Sequence, residues 1–80
     1  MEKENLLNRI TVNPNILLGK PTIRGMRISV AQILNALANN VLISNLLKDF
    51  PELEPEDIQA ALAYAAQRIE DEKVFKVEAA

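Results

Sequence analysis

The stretch "SNLLKDFPELEPEDIQAALAYAAQRIE", residues 44 to 70, decides how this chain is read. Two prolines, Pro51 and Pro55, divide it. Ahead of Pro51, Leu46, Leu47 and Phe50 share one side of a short helix, Asn45 to Phe50, which Ser44 caps or which Leu42-Ile43 begins. Pro55, whose fixed φ suits a first helical position, opens a longer helix reaching about Glu70, with Glu56 and Asp57 placed favourably for the helix dipole. Ile58, Ala61, Leu62, Ala65 and Ile69 fall on one face, and alanines at 60, 61, 63, 65 and 66 add helix propensity and allow close approach. Two helices joined by the bend Pro51 to Glu54 have the layout of a helix-turn-helix, a pattern that tri-helical packing of any small domain also produces.

Upstream, Ser29 is a good N-cap for a helix in which Val30, Ile33, Leu34 and Leu37 recur at helical spacing. Asn39-Asn40 ends it, because Asn tolerates the left-handed conformation. Farther upstream, Arg9-Ile10-Thr11-Val12 alternates polar and apolar with β-branched residues, and Asn13-Pro14-Asn15 then breaks the strand. Pro21-Thr22-Ile23 and Met26-Arg27-Ile28 flank Arg24-Gly25, a spacing suited to a small hairpin whose turn needs positive φ at Gly25. The expected fold is mainly α, a three-helix helix-turn-helix with a short N-terminal β-ribbon. Residues 1–80 read as one domain, with its core in 9–70 and a tail, 71–80, expected to fray.

Charge is distributed unevenly along the chain. Residues 5 to 48 hold Arg9, Lys20, Arg24, Arg27 and Lys48 and no acid, a local charge of +5, whereas residues 49 to 80 hold nine acids against Arg68, Lys73 and Lys76, a local charge of −6. Such asymmetry points to a polyanion-facing half, or to self-complementary packing between two subunits. Eighty residues bury a small core, so a homodimer or a partner protein is expected.

The same composition argues against several chemistries. There is no histidine and no cysteine, which removes the commonest general base, the commonest metal ligand and the thiol nucleophile. We expect no enzyme, no cofactor and no metal site; the acids at 52, 54, 56 and 57 lack the glycine-containing loop of a calcium hand. "GKPT" at 19–22 is not the end of a phosphate-binding loop, since Pro14 stands where that motif needs glycine. Without a cysteine framework, an apolar leader or a membrane-length apolar run, the chain is expected to be soluble and cytoplasmic.

The blocks "ITVNPNILLGKPTIRGMRISV" and "LLKDFPELEPEDIQAALAYA" resemble the domain-of-unknown-function family four-thirty-three, small prokaryotic proteins, over residues 9 to 66. The resemblance places that family's signature at Asn13, Pro14, Gly19, Lys20, Pro21, Arg24, Gly25, Arg27 and Ile28. Asn40 stands where a turn glycine is usual, and Leu42 and Glu54 stand where Ser or Thr caps are usual. The resemblance implies a homeodomain-like or winged-helix-like fold and the role of an antitoxin in a type II toxin–antitoxin pair, beside a PIN-like ribonuclease toxin. On that basis Lys20, Arg24 and Arg27 are the candidate contacts to operator DNA, and Gly19 and Gly25 let the backbone turn or approach. The opposing reading has Arg24 and Arg27 paired with the acidic helix entrance of their own or a second chain. Val74, Phe75 and Val77 of the tail are the candidate partner-binding residues, and a pure protein-interaction module without DNA binding is the alternative function.

Overall fold

The structure, a computed structural model, describes residues 3 to 71. The described part is mainly helical. In chain order it comprises helix α1 (Lys3–Leu7), strands β1 (Ile10–Val12) and β2 (Pro21–Ile23), and helices α2 (Val30–Ala38), α3 (Ile43–Asp49) and α4 (Pro55–Asp71). The strands form a two-stranded antiparallel sheet in which Ile10 faces Ile23, Thr11 faces Thr22 and Val12 faces Pro21. β1 lies against α4 and β2 against α2, while α1, too short to show a helical period in sequence, packs along α4.

The ribbon therefore forms, but from a different pair of segments than the hairpin expected around Arg24-Gly25. Met26–Ile28 is not a strand. Ile23 N–H donates to the Met26-side turn's partner Ile28 O at 3.0 Å, a single Thr22–Ser29 bridge follows, and the ladder stops there. Its cause is the early start of α2. Ser29 Oγ accepts from Gln32 N–H and Gln32 Oε1 accepts from Ser29 N–H, both at 3.0 Å, a reciprocal capping box that commits Ser29 to the helix. The turn itself is tight: Met26 N–H donates to Ile23 O at 2.8 Å, with φ of 46° at Arg24 and 74° at Gly25. Two successive positive φ values are the signature of a turn whose twist matches a hairpin.

α2 ends as its asparagines suggest. Val41 N–H returns to Ala36 O and Asn40 N–H to Leu37 O, with Asn40 at φ 65°, the pattern of a Schellman cap. α3 begins at Ile43, so Ser44 is its second residue and not its cap; Leu42 stands before it with no side-chain capping bond. Leu46 nonetheless faces the core, 4% exposed, with Leu47 and Phe50 packed against it, the side that the spacing predicts.

The core gathers Ile23 from β2, Ile28 from the segment between the turn and α2, Val30 and Ile33 from α2, Leu46 from α3, Leu53 from the bend, and Ile58 and Ala61 from α4. Burying an aliphatic side chain of this size stabilises by ~1.5–3 kcal/mol. α4 buries part of the face expected of it. Asp57, Ile58, Ala60 and Ala61 point inward, whereas Leu62 and Ile69 are 47% and 62% exposed. Ile58 and Ala61 of the expected face are buried, and the inward side is shared with the Asp57 carboxylate.

Candidate functional site

Asp57 sits in the first turn of α4 with no exposed surface. A carboxylate in that position is tolerable only when its oxygens are filled by donors. Arg24 supplies two of them, Nε to Oδ1 at 3.0 Å and Nη2 to Oδ2 at 2.8 Å, in the parallel fork that a planar guanidinium suits. Arg9 Nη1 donates to Oδ1 at 3.0 Å, and the backbone N–H of Glu54 donates to Oδ2 at 2.8 Å. Arg9 also reaches Glu54 Oε1 at 2.7 Å, and Arg24 Nη2 reaches Glu52 O at 2.8 Å. The cluster thus fastens the base of the ribbon to the entrance of α4.

Electrostatics follow the same contacts. Burial alone pushes the Asp57 carboxyl up; the Arg24 hydrogen bonds, the Glu54 N–H and Arg9 outweigh it and hold the group below the usual carboxylate range. Hydrogen bonds to Glu54 and Asp57 raise the Arg9 guanidinium, and the bond to Asp57 raises that of Arg24.

The two arginines of the candidate DNA-binding set thus part company. Arg24 is spent on its own chain's carboxylate, which is the internal pairing weighed against DNA contact in the sequence. Arg27 and Lys20 are exposed and carry no ion pair among the described residues. They lie on the two sides of β2, one after each turn. Arg9, which the sequence offered only as one of five cations, proves to be part of the cluster. Among the four acids at the helix entrance nothing local distinguishes Asp57; the signal was long-range, an arginine beside a turn and an acid at a helix start.

Gly19 and Gly25 both adopt positive φ, 81° and 74°. At Gly25 a Cβ would meet nothing within 4 Å, so the turn, not a close approach, requires glycine. Its N–H donates to Thr11 Oγ1 at 2.8 Å, and Thr11 Oγ1 lies 3.1 Å from buried Thr22 Oγ1. Gly19 ends a left-handed turn shared with Leu17 and Leu18, at φ 48° and 58°. Val74, Phe75 and Val77 lie outside the described residues. No helix among the described residues is long and apolar enough to cross a membrane.

Fold and site together define a mainly helical domain whose two-stranded ribbon is latched to α4, the longest helix among the described residues, by a buried Asp–Arg cluster. The chain belongs to the family described as Protein of unknown function (DUF433), whose pattern matches residues 10–65, a span that includes Arg24 and Asp57. A DUF433 member from Anabaena variabilis ATCC 29413, known from a crystal structure, is 31% identical and superposes with a TM-score of 0.74 over 84% of this chain and 66% of that one. Uncharacterized protein y4eO of Sinorhizobium fredii (strain NBRC 101917 / NGR234) is 34% identical over 56 residues. This match covers 70% of the present chain and a quarter of the length of that relative.

Proposed function

We propose that this chain is a non-enzymatic, antitoxin-like interaction module whose main partner is a protein, a PIN-like ribonuclease toxin being the class the family resemblance implies. The observation that carries the reading is the run Val41, Leu42 and Ile43, three consecutive aliphatics exposed by 36%, 64% and 46% at the corner between α2 and α3. Consecutive exposed aliphatics are a liability in a free domain and an asset in one that is covered in use. The tail residues Val74, Phe75 and Val77 provide a second apolar contact for the same partner. The test is co-expression with the product of the neighbouring reading frame and light scattering of the mixture. One co-eluting species, lost in the exposed double substitution Leu42→Glu with Ile43→Glu, is the expected result; separate elution of the two wild-type chains overturns the reading.

A second reading, contact with operator DNA by a homodimer, draws on Lys20 and Arg27, exposed and without an ion pair among the described residues. Arg24 no longer contributes to it, and α3 with α4 in a helix-turn-helix arrangement would bring Glu52 and Glu56 toward phosphate. Two cations from each subunit would neutralise about four phosphates, giving a log–log salt slope of about −3.6. A flat titration with the upstream DNA of its own operon removes this reading.

A further inference from the structure

Between α2 and the second half of α4 the described residues leave a surface groove of about 260 Å³. Val30, Leu34 and Tyr64 contribute to its mostly apolar wall, and its charged lining residues are Lys20 and Arg68. A neighbouring hollow of about 370 Å³ begins at the same Lys20 and runs along Leu17 and Leu18. Acids outnumber bases in this chain, 11 to 9, yet neither Lys20 nor Arg68 has a carboxylate partner among the described residues. The two cations that flank the apolar wall thus have no counter-charge among the described residues.

The adjoining loop adds an independent observation. Leu17 and Leu18 both occupy the left-handed region, at φ 48° and 58°, which residues bearing a Cβ adopt at a cost. That conformation leaves Leu18 93% exposed. Backbone strain and an apolar side chain in water are two penalties at one position; the hydrogen bonds of the turn, Gly19 N–H to Ile16 O at 3.1 Å and Lys20 N–H to Leu17 O at 3.2 Å, offset the first, and no described residue covers the second.

We infer that this groove docks an acidic amphipathic segment of the partner protein, placing a large apolar side chain against Val30, Leu34 and Tyr64 and its carboxylates beside Lys20 and Arg68. Leu18 packs on the same segment from the neighbouring hollow. The inference rests on the protein-binding reading above and adds the chemistry of the bound segment: apolar at helical spacing, anionic on its flanks.

The experiment uses the full chain and two fluorescein-labelled helical peptides, each with leucines at i, i+3 and i+7, one flanked by glutamates and the other by lysines. Fluorescence anisotropy at low salt is expected to show the glutamate peptide binding about tenfold more tightly, a margin suited to two partly exposed ion pairs. The margin narrows as salt rises. The double substitution Lys20→Glu with Arg68→Glu, at two exposed positions, is expected to keep the melting temperature and reverse the preference. Equal binding of the two peptides, or a double variant that still prefers glutamate, overturns the inference. So does a dimer of the free chain that the double variant dissolves, since the groove's occupant would then be a second copy. A complex with the neighbouring gene product that survives the double substitution overturns the groove assignment alone; absence of any such complex overturns the protein-binding reading instead.

Discussion

Arg24 and Asp57, 33 residues apart, meet through two parallel hydrogen bonds of 3.0 and 2.8 Å, with the carboxylate wholly buried and the arginine side chain 37% exposed. This contact closes the ribbon onto α4. Asp57→Asn keeps the size of the side chain and removes the charge that three donor groups converge on. Breaking a buried pair by removing one partner costs about 3–5 kcal/mol, and hydration of the partly exposed Arg24 brings the expected loss to about 2–3 kcal/mol. Urea denaturation monitored by circular dichroism checks it. A loss below about 0.5 kcal/mol would mean that the cluster holds nothing together.

The same carboxyl makes stability depend on pH in a definite direction. Its folded-state value lies below its ordinary value of 3.8, so the unfolded chain binds the proton more readily. The contribution of Asp57 is therefore fully present above about pH 5, begins to fall near pH 4, and is lost as pH drops through the folded-state value. Other carboxylates titrate in the same window, so the measurement is a difference. Urea midpoints of the wild type and of Asp57→Asn are expected to lie far apart at pH 7 and to converge toward pH 2. Parallel curves over that range would show that Asp57 is not held ionised by its arginines.

Gly25 offers a test of the turn that is free of packing effects. At φ 74°, with nothing within 4 Å of a built Cβ, Gly25→Ala pays for backbone conformation and for nothing else. The expected cost is about 1 kcal/mol, and Gly25→Asn should recover part of it because Asn tolerates the left-handed region. Equal stabilities of the alanine and glycine forms would argue that the turn opens.

Much of this architecture was legible from local chemistry. Ser29 and Gln32 announce the start of α2 three residues apart, Asn40 ends it, and Pro55 opens α4, because each solves a backbone problem within one turn of itself. What local chemistry does not carry is choice among partners. Four acids stand near the entrance of α4, and only the folded path of Arg9 and Arg24 selects Asp57, while Leu62 and Ile69 lie outward. Likewise Met26–Ile28 has strand composition, but Ser29 is already bound to Gln32, and a three-residue arm cannot continue a ladder past its own helix cap. α1, five residues long, is shorter than the window of about 11 to 18 residues over which a helical period can be read.

Leu18 is where stability and binding are expected to oppose each other. Its φ of 58° suits glycine, and at 93% exposure its side chain contributes no burial to the free chain. Leu18→Gly relieves the left-handed strain while adding entropy to the unfolded state, and the balance favours the variant by about 0.5–1 kcal/mol. Thermal melting should therefore rise by a few degrees for a domain of this size. If Leu18 is held outward for a partner, the same variant binds the glutamate-flanked peptide more weakly even though it is the more stable protein. A variant that gains stability and loses no affinity would show that the strain at this loop serves some purpose other than docking.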